Sequence, residues 1–155
     1  MIPLETVVLW GNDEAKEAIE KCESPIERLM FCSLYQAAAI HTSHLAMIHF
    51  GWKSSIQIGE WAIIPQYKIA GCRADFVVRW GGIHRAVVIE CDGHDFHERT
   101  KQQVIADNQR NRILRNHHFE VIRFSGSEIH NDPMQCAFDV HGLFCTIYDE
   151  TRKAS

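Results

Sequence analysis

The sequence predicts an α/β fold in which helices flank a mixed β-sheet. Three observations point there. Ser24, Pro25 and Glu27 stand at the cap, first and third positions of a strong helix start. From about Ser55 the apolar spacing changes from helical to strand-like and stays so to about residue 92. A helical stretch over residues 98–117 then separates these strands from one more, FEVIRF. The order is helix, three to four strands, helix, strand, helix, which describes an α/β sandwich around a mixed sheet.

Each element has its own signal. Residues 12–22 read as a polar helix with Ala15, Ala18 and Ile19 facing inward. The helix opened by Ser24 carries Ile26, Leu29, Met30, Leu34, Ala37 and Ala38 at helical spacing and should run to about His41. Residues 42–55 fit either an irregular insertion or a short helix. SIQIGEW and AIIPQYKI read as extended, Gly71 allows a turn, and RADFVVRW is the next strand. Gly81-Gly82 signals a hairpin before HRAVVIECD, which is the most apolar strand and is expected at the sheet centre. In the helix over 98–117, Gln103, Asp107 and Arg110 share a face with Leu114. Asp132-Pro133 opens a last helix, with Phe138, Val140, Leu143, Phe144 and Ile147 supplying core.

The 155 residues suit one domain: an extension over 1–22, a core over 23–129 and a C-terminal helix over 130–150. A hydrophobic share of 46% and a charged share of 23% are ordinary for a globular protein. No apolar run approaches the roughly 20 residues that span a bilayer. No secretory signal is visible at the start, so a cytoplasmic protein without membrane contact is expected. The six cysteines form no Cys-x-x-Cys pair, which favours buried free thiols over structural zinc.

The formal charge of −4 argues against a generic nucleic-acid-coating protein. Its distribution says more. Residues 1–30 hold seven acids and three bases, whereas residues 73–123 hold nine bases, seven acids and five of the ten histidines. Carboxylates among bases suit metal-assisted work on a phosphate backbone; they also suit a salt-bridged surface, which charge alone favours.

The informative core is RADFVVRWGGIHRAVVIECDG. Asp75 lies on one strand and Glu90 near the end of the next. Side chains alternate along a strand, so Glu90 and Asp92 share a face while Ile89 and Cys91 share the other. Acids at the end of an apolar strand are costly unless something charged or polar receives them. A divalent cation does so. Mg²⁺, with Mn²⁺ as a substitute, takes oxygen ligands, polarises a phosphate and lowers the pKa of a bound water.

These residues resemble the PD-(D/E)XK nuclease superfamily, and within it the small endonuclease-domain proteins related to very-short-patch-repair endonucleases. The similarity begins with Ser24-Pro25-x-Glu27 and continues with Gln66 ahead of Arg73-Ala74-Asp75-Phe76. Glu90, Asp92, Gly93 and His97 follow, then Asp107 and Arg110 three apart on a helix, then Leu114 and Val121-Ile122-Arg123-Phe124. It covers about residues 23–129. The resemblance implies a restriction-endonuclease-like core and a metal held by Asp75, Glu90 and the Cys91 carbonyl. It implies catalytic roles for Asp75, Glu90, Asp92, His97 and Glu27, and substrate contacts from Arg110, Arg73, Lys101 and Gln66. The partner it implies is DNA, with a homodimer or partner subunit to cut both strands. DNA repair, restriction, mobile-element defence and phage processing all suit such an enzyme.

The chain departs from the superfamily at one place: the usual lysine, two residues after the glutamate, is Asp92. The small branch carries the same aspartate. His97, then His94, are the candidates for orienting or deprotonating water, and Lys68 or Lys101 could supply the cation. Bland readings stand beside these. Asp92 suits an Asp-Gly turn. Glu27 suits a capping box. Asp107 and Arg110 suit a salt bridge with each other. Trp52, Trp61 and Trp80 suit core or rim packing better than base stacking. A binding module of the same fold without cleavage is the second functional reading, and a zinc protein the third.

Overall fold

A computed structural model describes residues 13–41, 55–81, 83, 85–93 and 100–154. The helices are α1 (Asp13–Glu20), α2 (Pro25–His41), α3 (Lys101–Asn116), α4 (Gly126–Asn131) and α5 (Pro133–Ala154). The strands are β1 (Ile56–Ile58), β2 (Trp61–Ile69), β3 (Cys72–Trp80), β4 (Ala86–Asp92) and β5 (Phe119–Ser125). They form one five-stranded sheet in the order β1-β2-β3-β4-β5. The first four strands run antiparallel to their neighbours, and β5 lies parallel to β4, as Glu90↔Arg123 records. The expected mixed sheet flanked by helices is therefore present. β3 holds the centre, with β4 one place away, because among the described residues only β5 lies outside β4.

Turn chemistry explains the meander. Ala70 and Gly71 both have positive φ, 47° and 81°, and join Ile69 to Cys72, the two-residue turn that matches strand twist. The link between Trp80 and Ala86 is longer than a two-residue hairpin, and Gly82 lies outside the described residues. Trp80 is packed, as expected: its Nε1 donates to Glu60 Oε2 at 3.0 Å and its ring packs on Phe144 and Tyr148. Trp61 is fully buried, whereas Trp52 lies outside the described residues, as do 42–54 of the insertion.

The two faces of the sheet are covered unequally. One faces α1, α2, α4 and α5, with Phe31, Trp61, Ile63, Phe76, Val78, Ile89, Phe124 and Phe144 in a single core. The other holds a smaller cluster of Ile64, Ile69, Ala74, Val77, Ala86, Val88 and Leu114. Leu114 is the only buried residue of α3.

Helix ends follow local signals. Thr100 caps α3 in a capping box with Gln103, so Gln103 serves the helix start rather than an inner face. Asp132 Oδ1 accepts from Gln135 N at 2.9 Å ahead of Pro133, the start expected for α5. Ser125 and Glu128 form a capping box for α4, a short helix absent from the sequence expectation although Ser-x-x-Glu is a legible signal. Phe138 is 37% exposed rather than core, since the buried stripe of α5 runs through Ala137, Val140, Phe144 and Ile147 and Phe138 stands beside it.

Leu114→Ala removes the one apolar anchor of α3 and should cost roughly 2–5 kcal/mol, read from urea unfolding.

Candidate active site

The site begins where the β-ladder is interrupted. Gln66, in the middle of β2, has φ 52°, a conformation that side chains other than glycine adopt at a cost. Ile64 and Tyr67, three apart, both pack in the smaller cluster, so the two-residue alternation slips at Gln66. Ala74 and Val77 show the same slip on β3, around Asp75, between the recorded pairs Pro65↔Phe76 and Tyr67↔Ala74. The β3–β4 register runs from Val78↔Val87 to Phe76↔Ile89. Beyond it the side chain of Asp75 takes over, its Oδ2 accepting from Cys91 N at 2.7 Å. A carboxylate thus replaces a ladder carbonyl, while β4 continues to pair with β5 as far as Asp92↔Ser125.

Glu27 stands on the first turn of α2 and is 6% exposed. Its Oε1 accepts from Ser24 Oγ at 2.9 Å, and its Oε2 accepts from Glu23 N at 2.9 Å. Ser24 Oγ accepts in turn from Glu27 N at 3.3 Å, one half of a capping box; the return bond to the Glu27 carboxylate comes from the Glu23 N–H in place of the Ser24 N–H. Gln66 Nε2 also donates to Glu27 Oε2 at 2.7 Å, so the structural role of Glu27 is occupied and joined to the ladder break. Gln66 Oε1 is buried without a hydrogen-bond partner.

Glu90 is 6% exposed at the end of β4. Arg110 of α3 grips both its oxygens, Nη2 to Oε1 at 2.6 Å and Nη1 to Oε2 at 3.0 Å. Arg110 Nη2 also donates to the Arg73 carbonyl on β3. The expected Asp107–Arg110 pair is therefore replaced by Glu90–Arg110. Asp107 faces Arg123 instead: Arg123 Nη1 lies 3.8 Å from both Asp107 Oδ2 and Asp92 Oδ2, and Nη2 donates to Asn111 Oδ1 at 3.0 Å. Sequence reasoning named no site role for Arg123. Its usable signal was an arginine near the end of an otherwise largely apolar strand, and the structure sets it opposite Glu90 on the edge strand β5.

Burial dominates the electrostatics. It pushes the Glu90 carboxyl up to about 7 against the opposing pull of Arg110, with Asp75 adding to the rise. The Asp75 carboxyl is raised too, by burial first; the Cys91 N–H works against this and Glu27 adds to it. The Cys91 thiol packs on the larger core and burial holds it well above its ordinary pKa. Its carbonyl, the atom implied as a ligand, is positioned by the bond from Asp75 to the same residue's N–H.

The remaining candidates sit at the rim. Arg73 is exposed and pairs with Glu23 at 2.7 Å. Lys101 is exposed in the first turn of α3, and Lys68 is exposed opposite Arg73. His94 and His97 lie outside the described residues. Among the described residues, no three His, Cys, Asp or Glu side chains converge as a ready-made metal cage. All six cysteines are free; Cys22, Cys32 and Cys136 are buried, whereas Cys145 is exposed on α5 against the expectation of a buried thiol. No helix among the described residues is long and apolar enough to cross a membrane.

A mixed sheet with acids on two of its three inner strands, backed by helices on both faces, is compatible with a restriction-endonuclease-like α/β core. Residues 53–142, more than half of the chain, match the family model REase_MTES_1575, and the chain belongs to that restriction-endonuclease-like family. The match includes Gln66, Asp75, Glu90, Asp92, Lys101, Arg110 and Arg123 and begins after Glu27. Neither a curated protein nor a solved structure matches the chain.

The raised Glu90 pKa fixes a pH dependence. Between 4.5, its ordinary value, and about 7, the folded chain keeps a proton that the unfolded chain releases. Stability in chelator should therefore fall as pH rises through that window and level off above it. Glu90→Gln should flatten the decline in denaturant titrations across pH; an equally steep decline in the variant would contradict this assignment.

Proposed function

We propose that the chain is a divalent-cation-dependent endonuclease of the PD-(D/E)XK type, hydrolysing phosphodiester bonds in DNA. The observation that carries this reading is the pair of sheltered carboxylates, Asp75 and Glu90, on adjacent strands where the ladder opens. Fit to a hard cation is supported by the donor set. Asp75 and Glu90 supply oxygen acceptors, Gln66 Oε1 is buried and unpartnered, and burial disfavours the charged form of both carboxyls, a cost that a bound cation would offset.

Asp75, Glu90 and the Cys91 carbonyl are the atoms to hold Mg²⁺ or Mn²⁺, which supplies charge to a phosphate and acidifies a bound water. The remaining roles fall to the chain itself. Asp75 fixes the end of β4 through the Cys91 N–H. Arg123 holds Asp92 and Asp107 on the same side as Glu90. Glu27 and Gln66 set the strand break from behind. His97 is the candidate for orienting the attacking water, with His94 second. Arg73 and Lys101, exposed at the rim, are the candidates for contacting backbone phosphates, and Arg110 reaches one with its fork only by releasing Glu90. The ordered similarity from Ser24-Pro25-x-Glu27 to Arg123-Phe124 supports kinship with the very-short-patch-repair group and a role in DNA repair. Cutting both strands calls for a homodimer or a partner subunit.

A second reading, a binding module without cleavage, is favoured by the saturation of Glu90 by Arg110. The two separate on a panel of labelled duplex, nicked, branched and single-stranded DNAs with Mg²⁺, Mn²⁺ or EDTA. The nuclease reading expects metal-dependent cleavage that Asp75→Asn and Glu90→Gln each reduce by about 100-fold or more. Binding without cleavage in every metal condition would move the assignment to the recognition module.

A further inference from the structure

Helix α3 is held to the sheet in an unusual way. Leu114, near its C-terminal end, is its only buried residue, and Val104 and Ile105 in its first half are 44% and 58% exposed. The middle of the helix is therefore tied down by polar contacts. Arg110 provides the tightest of these, bridging from α3 to Glu90 on β4 and to the Arg73 carbonyl on β3. The Arg110 side chain is 22% exposed and that of Glu90 is 7% exposed, so this fork is screened from water far more than the rim pair Arg73–Glu23, at 52% and 55%.

A guanidinium in that position does what a metal ion would do: it brings positive charge to both oxygens of a buried carboxylate. We infer that Arg110 is the resident counter-cation of Glu90, and that a divalent cation must compete with its guanidinium for that carboxylate. The inference rests on the reading of Asp75 and Glu90 as ion ligands. Both Glu90 oxygens are engaged by the fork, so a dication on the same carboxylate meets a positive neighbour within one shared group. Repulsion between the two is strong in a poorly solvated pocket. Linkage then makes the effect reciprocal: whatever affinity the ion loses to Arg110, Arg110 loses to the ion. Arg110 is thus a positioning residue that sets the threshold for ion binding, and its release on loading frees a fork for the substrate's backbone.

The test is Mn²⁺ binding by calorimetry and by the paramagnetic signal of free Mn²⁺, in the wild-type chain and in Arg110→Met, Arg110→Lys and Glu90→Gln. Competition predicts that Arg110→Met binds Mn²⁺ more tightly, by about 5- to 150-fold, while its metal-free form melts at a lower temperature. Arg110→Lys, which keeps the charge but loses the fork, should lie between it and wild type, and it carries the comparison if the methionine variant does not fold. A merely structural arginine would show the opposite, since loosening Glu90 weakens a site. Glu90-dependent Mn²⁺ binding that both Arg110 variants leave unchanged or weaken would overturn the competition and leave the nuclease reading standing. Binding indifferent to Glu90→Gln, or no binding by any of the four proteins, would overturn the ion-ligand reading and the competition with it.

Discussion

The Glu90 carboxylate sits at the end of a strand whose preceding residues are buried and apolar, and its charge is met by one guanidinium from a helix twenty positions further on. Much of the surrounding geometry is consistent with that requirement. A carboxylate 6% exposed is tolerable only with a partner, and the partner must come from an element that can lie across the strand end. Helix α3 does this, and the parallel pairing of β5 with β4 closes the unit on its outer side. Arg123, directly opposite Glu90 in that pairing, adds a second positive group among Asp92, Asp107 and Asn111.

The sheet divides the labour. Its thick side carries aromatic and aliphatic packing from four helices, with Phe31 against Phe76 and Trp61 against Phe144. That side can hold the strands rigidly while the other face gives up packing to charge. The thin side keeps only a small apolar cluster near Leu114 and spends the rest of its area on the acids and arginines. Positive φ at Gln66, the slip in alternation and the Asp75 to Cys91 bond all occur on the strands that separate these sides. Backbone strain of this kind costs free energy and persists where its surroundings hold it, here through the Gln66 bond to the helix cap at Glu27.

Most elements were legible because their signals are local. Ser24-Pro25-x-Glu27 and Asp132-Pro133 mark helix starts whatever they pack against, and Gly71 marks a turn through its own φ. Phe138 misled because it lies beside the buried stripe of α5, and an apolar residue adjacent to such a stripe looks internal in sequence. The short α4 was missed despite its capping box, since six residues carry too little periodicity to register. The acids were singled out because charge at the end of an apolar strand is anomalous in one dimension. Their partners were not, because Arg110 lies one helical turn from Asp107 but 20 residues from Glu90, and helical spacing alone favoured the nearer acid.

By itself, then, the sequence determined the order of elements, the caps and turns that bound them, and the two strands on which Asp75 and Glu90 stand. These follow from propensity, periodicity and the cost of burying charge, all read over a few residues. Only the tertiary structure decided that β3 is central, that Glu27 joins Gln66, that Arg123 gathers Asp92 and Asp107, and that Arg110 belongs to Glu90. Those pairings join residues 16 to 39 positions apart, and a charge chooses among distant partners by which one burial brings within reach.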